Sequence, residues 1–276
     1  VTTGGNPNLA AEKANTWTIG AVFQPVFAPG LSMTIDYYNI KLNDAITAPT
    51  IGDVFSACFD NNPSPTNPAC TSIRRNPATG NLFGNVGTTP GLPLVLTNQG
   101  QIFTDGIDLV ANYSTDLGFA GLDLGFFGNW TNRSRFKANQ DDPASLNREC
   151  VGYYSINCAS IQPEFSFTQR TTLSFDQVDL SLRWRFIDAV EVEPLVADAF
   201  LEDFRTIPSE HYFDLTAVFN VTDSFALTAA VINLFDNEPK VVGSNIGSTA
   251  YNSGNVFPST YDALGRRYSV TARMTF

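Results

Sequence analysis

The last ten residues, Arg267–Phe276 (RYSVTARMTF), alternate strictly between polar and apolar side chains. Every second residue from Tyr268 onward is apolar, and the intervening positions carry hydroxyl or guanidinium groups. Because successive side chains of a β-strand point to opposite faces, this pattern predicts a strand with one apolar and one polar face. The stretch also has about the 9–11 residues that a tilted strand needs to cross a bilayer.

The same alternation recurs along the chain and predicts an all-β protein of nine strands. We place these strands near residues 15–25, 31–45, 98–114, 121–137, 165–175, 178–190, 208–221, 224–235 and 266–276. Short links are predicted at 26–30, 115–120, 176–177 and 222–223, and long ones at 46–97, 138–164, 191–207 and 236–265. Short turns at one end and long loops at the other are typical of transmembrane β-barrels.

A soluble β-sandwich is the competing interpretation, since its strands also alternate apolar and polar residues. Several predicted strands exceed ten residues, whereas strands of globular sheets usually have about five or six. Four long loops at one end are also unusual in a compact domain. Strand length and loop asymmetry therefore favour the barrel.

Composition excludes several other classes of protein. Hydrophobic residues make up 43% of the chain and charged residues 16%, which is not the composition of a disordered chain. The net charge of −11 argues against a nucleic-acid partner, whose phosphates require a basic surface. With one histidine, and without an HExxH, P-loop or GxGxxG motif, the sequence predicts no enzyme and no resident cofactor. We consider one exception to the absence of a cofactor, which is a Ca²⁺ ion bound by the loop carboxylates of Asp141 and Asp142.

The chain begins at Val1 without a basic and apolar leader, so we expect a fragment or a processed chain. Its four cysteines are Cys58, Cys70, Cys150 and Cys158, and none forms a CxxC pair. Their even number and loop-like surroundings favour disulfides and an oxidising compartment. Of three connectivities, we expect the sequence-local one, Cys58–Cys70 with Cys150–Cys158.

Five short segments carry a family resemblance. They lie, in order, within Asn6–Gly20, Leu31–Ile46, Thr104–Leu109, Asn233–Asp236 and Phe257–Tyr268. Their sequences are NPNL followed by EKANTWTIG, LSMTIDYYNIKLNDAI, TDGIDL, NLFD and FPSTYDALGRRY. Together they resemble segments of the TonB-dependent receptors, although Ala11 replaces the proline that usually precedes the Glu-Lys pair. Each motif is short, but their shared order extends over nearly the whole chain.

The resemblance implies the C-terminal portion of a 22-stranded transmembrane β-barrel with short periplasmic turns and long extracellular loops. If the final strand is the last of the barrel, the turn at 26–30 lies on the periplasmic side. We expect residues 1–276 to form one barrel part. The plug domain, the N-terminal barrel strands and the TonB-contacting segment are expected outside this chain.

The resemblance also implies a function, which is energy-dependent uptake of a large, scarce solute across the outer membrane of a Gram-negative bacterium. Family solutes include oligosaccharides, ferric siderophores, other metal chelates and cobalamin. The implied partners are outer-membrane lipid, the remaining strands and plug, the TonB complex and the extracellular solute. Two alternatives are a structural or surface-binding barrel component without transport, and a soluble carbohydrate-binding sandwich.

Candidate site residues follow from where each side chain lies on a strand or loop. Polar-face arginines are predicted to face the lumen and to contact the plug or an anionic solute: Arg170, Arg183, Arg185, Arg267 and Arg273. Loop aromatics are candidate ligand contacts, with loop packing as the alternative: Tyr153, Tyr154, Phe200, Phe204 and Tyr251. In the final strand, Tyr268 and Phe276 resemble the signal that the barrel-assembly machinery reads in outer-membrane proteins.

Overall fold

Nine long strands form the sheet of this protein, as the alternating pattern predicts. The computed structural model describes residues 2–48, 51–61, 64–85, 87–89, 91–137, 147–154, 158, 161–243 and 255–275. The long strands, β1 to β9, are Lys13–Phe23, Leu31–Thr47, Thr97–Asp116, Gly121–Lys137, Phe165–Ser174, Val178–Ile187, Glu210–Thr222, Phe225–Ile232 and Arg267–Met274. They are sheet neighbours in chain order, and each pair from β4 to β9 is antiparallel. The predicted fold class is confirmed.

Short turns and long connections alternate as predicted. Between β3 and β4, the Leu117 amide donates to the Ala120 carbonyl at 3.0 Å, and Gly118 adopts a positive φ of 83°. Between β5 and β6, the Phe175 amide donates to the Val178 carbonyl at 2.8 Å. Long connections follow β2, β4, β6 and β8. None of the helices in the described ranges is long and apolar enough to cross a membrane.

Two predicted strand ends are wrong. Strand β6 ends at Ile187, and Val190 lies in a separate short strand, Val190–Val192. Strand β8 ends at Ile232, because Asn233 and Asp236 adopt positive φ angles of 54° and 59°. Two left-handed residues within four positions turn the backbone away from the extended conformation, so the NLFD motif forms a turn.

The chain divides into two compact units, and the first comprises Val1–Trp17, Asn39–Thr104 and Arg133–Cys150. In this unit the connection after β2 carries short helices at Ile51–Phe55 and Pro68–Thr71, with a π-helical turn between them. A disulfide joins Cys58 to Cys70. The other two cysteines are disulfide-bonded as well. The two predicted disulfides are therefore confirmed.

The second unit comprises Thr18–Tyr38, Asp105–Asn132 and Val151–Phe276. Its long connections fold together around a small apolar core. Three short strands, Tyr153–Tyr154, Val190–Val192 and Thr206–Ile207, form a separate sheet there. The buried residues of this core are Tyr154, Ile161, Val190, Val192, Ile207, Val242, Phe257 and Tyr261. These connections are therefore a packed structure with a core of their own.

Candidate functional site

An ion-pair network connects β6, β7 and the segment before β9, and it includes three of the five predicted arginines. Arg183 lies directly opposite Asp214 in the β6–β7 register. Its guanidinium contacts the Asp214 carboxylate at 2.6 Å, and Arg185 approaches the same carboxylate at 3.3 Å. The Asp214 side chain is only 5% exposed, so most of its water shell is replaced by these two cations.

A second carboxylate, Asp262, completes the network. Arg267 donates to it through both terminal nitrogens, at 2.7 and 3.0 Å, which is the two-pronged geometry that suits a carboxylate. Arg185 lies 3.7 Å from Asp262 Oδ2, one of the two oxygens that Arg267 contacts. We call Arg183, Arg185, Asp214, Asp262 and Arg267 the arginine network. The network connects the segment before β9, which contains Asp262, to strands β6, β7 and β9.

The backbone around Asn233 is also anchored to this network. The Asn233 amide donates to Asp214 Oδ1 at 2.8 Å, directly after β8 ends. Sequence analysis singled out the arginines and missed the two aspartates. A signal for Asp214 was present, because it occupies the polar face of β7. Asp262 lies in a connection, so its pairing depends on how the chain returns to the sheet.

The remaining predicted arginines, Arg170 on β5 and Arg273 on β9, are both exposed. Arg170 lies opposite Arg183 on one side and Gly125 on the other. Neither Arg170 nor Arg273 has an ion pair within the described part of the chain. A plug contact for these two residues stays a prediction.

The predicted loop aromatics fall into two groups. Tyr153, Phe200 and Phe204 are partly exposed, and Phe200 packs on the apolar core of the second unit. Tyr154 is fully buried in that core, and its hydroxyl donates to the Phe204 carbonyl at 2.5 Å. Burial raises the pKa of Tyr154 to about 12, so the hydroxyl keeps its proton at neutral pH. For Tyr154 the structure shows the packing alternative, and its role as a ligand contact stays untested. Tyr251 lies outside the described residues.

The final strand pairs with β8. Tyr268 lies opposite Val231, and Val270 lies opposite Ala229. Tyr268 and Val270 are 73% and 72% exposed. The polar residues between them are exposed as well, so the assignment of the lipid face stays a prediction. Phe276 lies outside the described residues. The assembly-signal role of Tyr268 and Phe276 stays a prediction.

A row of aromatic rings crosses the middle strands of the second unit. The Phe167 and Trp184 rings meet edge to face at 4.8 Å, and Trp184 stacks on Phe213 at 5.7 Å. Trp184 Nε1 donates to Nδ1 of His211, the single histidine. His211 thus belongs to an aromatic surface of the kind that outer-membrane strands place at a membrane interface.

The predicted calcium loop, Asp141–Asp142, lies outside the described residues. Among the residues that the structure does describe, no three His, Cys, Asp or Glu side chains come together as metal ligands. The described site therefore consists of ion pairs and packed aromatic rings.

Solved structures similar to this chain include siderophore receptors and an iron transporter. A variant of the ferric enterobactin receptor of Pseudomonas aeruginosa is 14% identical, with a TM-score of 0.62 over 99% of this chain. The FrpB iron transporter of Neisseria meningitidis and the siderophore receptor PirA of Acinetobacter baumannii are each 14% identical. Their TM-scores are 0.58 and 0.59 over 99% of this chain. In each case the chain spans 33% of the solved receptor's length. No curated protein matches the chain.

The sequence itself matches one family model, described as "TonB dependent receptor-like, beta-barrel", over residues 1–234. This match covers most of the chain and includes three of the five motif segments in full, together with the first two residues of the fourth. The strands, the alternating connections and the fold of the solved receptors agree with it. The chain belongs to the TonB-dependent receptor β-barrel family, whose members reside in the outer membrane of Gram-negative bacteria.

Proposed function

We propose that this chain is part of a receptor that takes up a large, scarce solute through the outer membrane, driven by the TonB system. The family match over residues 1–234 carries the proposal. The proposed partners are a plug domain and the remaining barrel strands, the TonB complex, the barrel-assembly machinery and the solute. This chain would supply barrel wall and loops, and its part in the cycle is binding and conduction without covalent chemistry.

The loop structure of the second unit suits the proposed binding step. Tyr153, Phe200 and Phe204 are partly exposed beside a packed core that contains Tyr154. A packed support lowers the conformational entropy that a loop loses when it binds a ligand. Aromatic side chains held in this way are suited to stacking on sugars or aromatic chelates.

A ferric siderophore is the first solute to test. The solved receptors of the same fold bind or import ferric siderophores or iron, and at 12–16% identity they support the choice through fold alone. The uptake test also includes oligosaccharides and cobalamin, the other solute classes that the family resemblance implies. The cargo metal would belong to the solute.

The test is uptake by cells with and without the gene for the full-length protein. Cells receive iron-loaded catecholate and hydroxamate siderophores, labelled cobalamin or a maltodextrin, each in strains with and without TonB. We expect gene deletion to abolish uptake of one solute, plasmid expression to restore it, and loss of TonB to abolish it again. Unchanged uptake of every solute would support the structural or surface-binding alternative. Uptake that is restored in the strain without TonB would contradict the proposal that the TonB system supplies the energy.

A further inference from the structure

A pocket of about 280 Å³ lies in the first unit, within the long connection that follows β2. The long connections of such barrels are extracellular, so this pocket is accessible to dissolved molecules. It is separate from the loop aromatics that the sequence selected, which belong to the second unit. Its lining residues include Cys58, Phe59, Pro65, Cys70, Ile73 and Arg75. We call this the disulfide pocket.

The walls of the disulfide pocket are fixed by covalent and hydrogen bonds. The disulfide joins the π-helical turn on one side to the helix Pro68–Thr71 on the other. The Asn67 side chain strengthens this link, because it donates to the Ala57 carbonyl at 3.0 Å and accepts the Ala69 amide at 2.9 Å. A pocket whose walls are already held in place loses little conformational entropy when a ligand binds.

The pocket offers an aromatic ring and aliphatic surface to a ligand. Phe59 lines the pocket and is 57% exposed, and its ring centre lies 6.1 Å from that of Phe55 at an interplanar angle of 43°. Pro65 and Ile73 add aliphatic surface. The π-helical turn that carries Phe59 is a rare element, and such turns are frequently found at functional sites. A flat ring suits this surface, because aromatic rings pair favourably in offset or edge-to-face geometry.

Arg75 supplies the charge of the pocket, and it is the one ionisable side chain among the lining residues that the structure describes. Its Nη1 donates to the Gly80 carbonyl at 3.1 Å, which positions the guanidinium. A carbonyl oxygen carries no formal charge, so this bond holds the cation without neutralising it. A planar guanidinium favours a carboxylate, which it can bind through two parallel N–H groups.

We propose that the disulfide pocket binds an aromatic acid, with the ring packed against Phe59 and the carboxylate on Arg75. A cavity of about 280 Å³ is at the lower end of the range for ligand pockets, which suits a compound with a single ring. The aromatic acid is either a dissolved compound or an aromatic arm of the solute that the receptor carries. Only the second source rests on the proposed function.

The first experiment follows fluorosalicylate by fluorine NMR while the full-length protein, purified in detergent, is added. Empty micelles give the baseline for partition of the probe into detergent. We compare the wild type with Phe59→Leu and Arg75→Gln. The matched controls are Phe83→Leu and Arg74→Gln, which change the same residue types at exposed positions of the same connection.

We expect the wild type to bind fluorosalicylate with a dissociation constant on the order of 1 mM, because the ligand is so small. Arg75→Gln should weaken binding on the order of tenfold, since it removes a charge-assisted hydrogen-bond donor. Phe59→Leu should weaken it about threefold, because it removes the ring but keeps an apolar side chain. Each control should change binding by less than about twofold.

Two further probes separate the ring from the charge. Trifluoroacetate has the carboxylate without a ring, and fluorobenzyl alcohol has the ring without a charge. We expect the wild type to bind each of them on the order of tenfold more weakly than fluorosalicylate. If fluorobenzyl alcohol bound as tightly as fluorosalicylate, the proposal would be overturned, because the guanidinium of Arg75 would contribute nothing.

Competition with an iron-loaded catecholate siderophore, the first solute chosen above, separates the two sources. If the pocket holds an aromatic arm of this solute, the siderophore releases bound fluorosalicylate. If the pocket holds a separate dissolved acid, fluorosalicylate stays bound in the presence of the siderophore. Neither measurement requires uptake, so a failure of the proposed function is distinguishable from a failure of this proposal.

Folding of each variant is checked by the gel shift between heated and unheated samples. Arg75→Lys serves as a further check, because it keeps the charge and should bind fluorosalicylate more tightly than Arg75→Gln. The proposal is overturned if the wild type binds fluorosalicylate no better than empty micelles do. It is equally overturned if the control variants lose as much affinity as the pocket variants.

Discussion

The two units stabilise their long connections by different interactions. In the second unit, three arginines share two nearly buried aspartates, Asp214 and Asp262, and Asp262 lies in the connection before β9. In the first unit, the connection after β2 is closed by the disulfide between Cys58 and Cys70. An arginine on the polar face of a strand therefore does not by itself identify a binding site, because in the network the chain supplies the anions.

Removing a carboxylate from the network is the strongest test of this difference. Asp214→Asn leaves Arg183 and Arg185 without their shared anion. We expect the free energy of unfolding to fall by about 3 kcal/mol, the lower end for breaking a buried ion pair. The lower end applies because the arginine side chains are still 36% and 27% exposed.

The measurement is a urea titration of the full-length protein in detergent, followed by the gel shift of folded protein. The matched control is Asp223→Asn, an exposed turn residue outside the network, which should change stability by less than about 0.5 kcal/mol. Equal effects of the two substitutions would show that the network does not stabilise this unit.

The disulfide of the first unit offers the next largest effect. Replacing Cys58 and Cys70 by serine opens a loop with a sequence separation of 12. On the chain-entropy model this should lower the free energy of unfolding by about 2–3 kcal/mol. The measurement is the same urea titration. A change of less than about 0.5 kcal/mol would show that the disulfide does not stabilise this unit.

The final strand tests an arginine outside the arginine network. Met274→Arg places a charge on the predicted lipid face near a strand end, which should cost about 1–2 kcal/mol, between the mid-bilayer and interfacial values. Arg273→Ser changes the opposite face and should have a far smaller effect. The measurement is the amount of each variant that is recovered from the outer membrane. If Arg273→Ser were as damaging as Met274→Arg, the faces of β9 would be the reverse of those assigned.

Sequence reasoning predicted the strands because each one carries its own evidence. The alternation of polar and apolar residues in β9 or β6 is visible in the sequence of that strand alone. It can be recognised without knowing which strands pair with it. The strand ends were less predictable. Asn233 ends β8 through a left-handed backbone conformation that apolar Leu234 and Phe235 do not signal. The short strand Val190–Val192 pairs with segments distant in sequence, so the pattern could not separate it from β6.

The site was predictable only in part, for the same reason. Arg183 was found from its own strand, but its partner Asp214 lies on the next one. Tyr154 was assigned to a loop, as a ligand contact or a packed side chain, and the segments that bury it are distant in sequence. Asp262 pairs with Arg267 and Arg185 from a connection whose path the local pattern does not show.

The smallest effect concerns Glu149 in the first unit. Its carboxylate accepts from the Ser134 amide and pairs with Arg135, and the Glu149 side chain is 34% exposed. Glu149→Gln keeps an oxygen for the Ser134 amide and removes the charge that pairs with Arg135. The pair is partly exposed, so the free energy of unfolding should fall by less than about 1 kcal/mol.

The control for this substitution is Glu12→Gln, which also accepts a backbone amide, that of Ile46, in the same unit. The urea titration used for Asp214→Asn compares the two variants. A loss of about 3 kcal/mol for Glu149→Gln, as large as the loss expected for Asp214→Asn, would mean that burial does not distinguish the arginine network from a partly exposed ion pair. The comparison between the two units would then no longer hold.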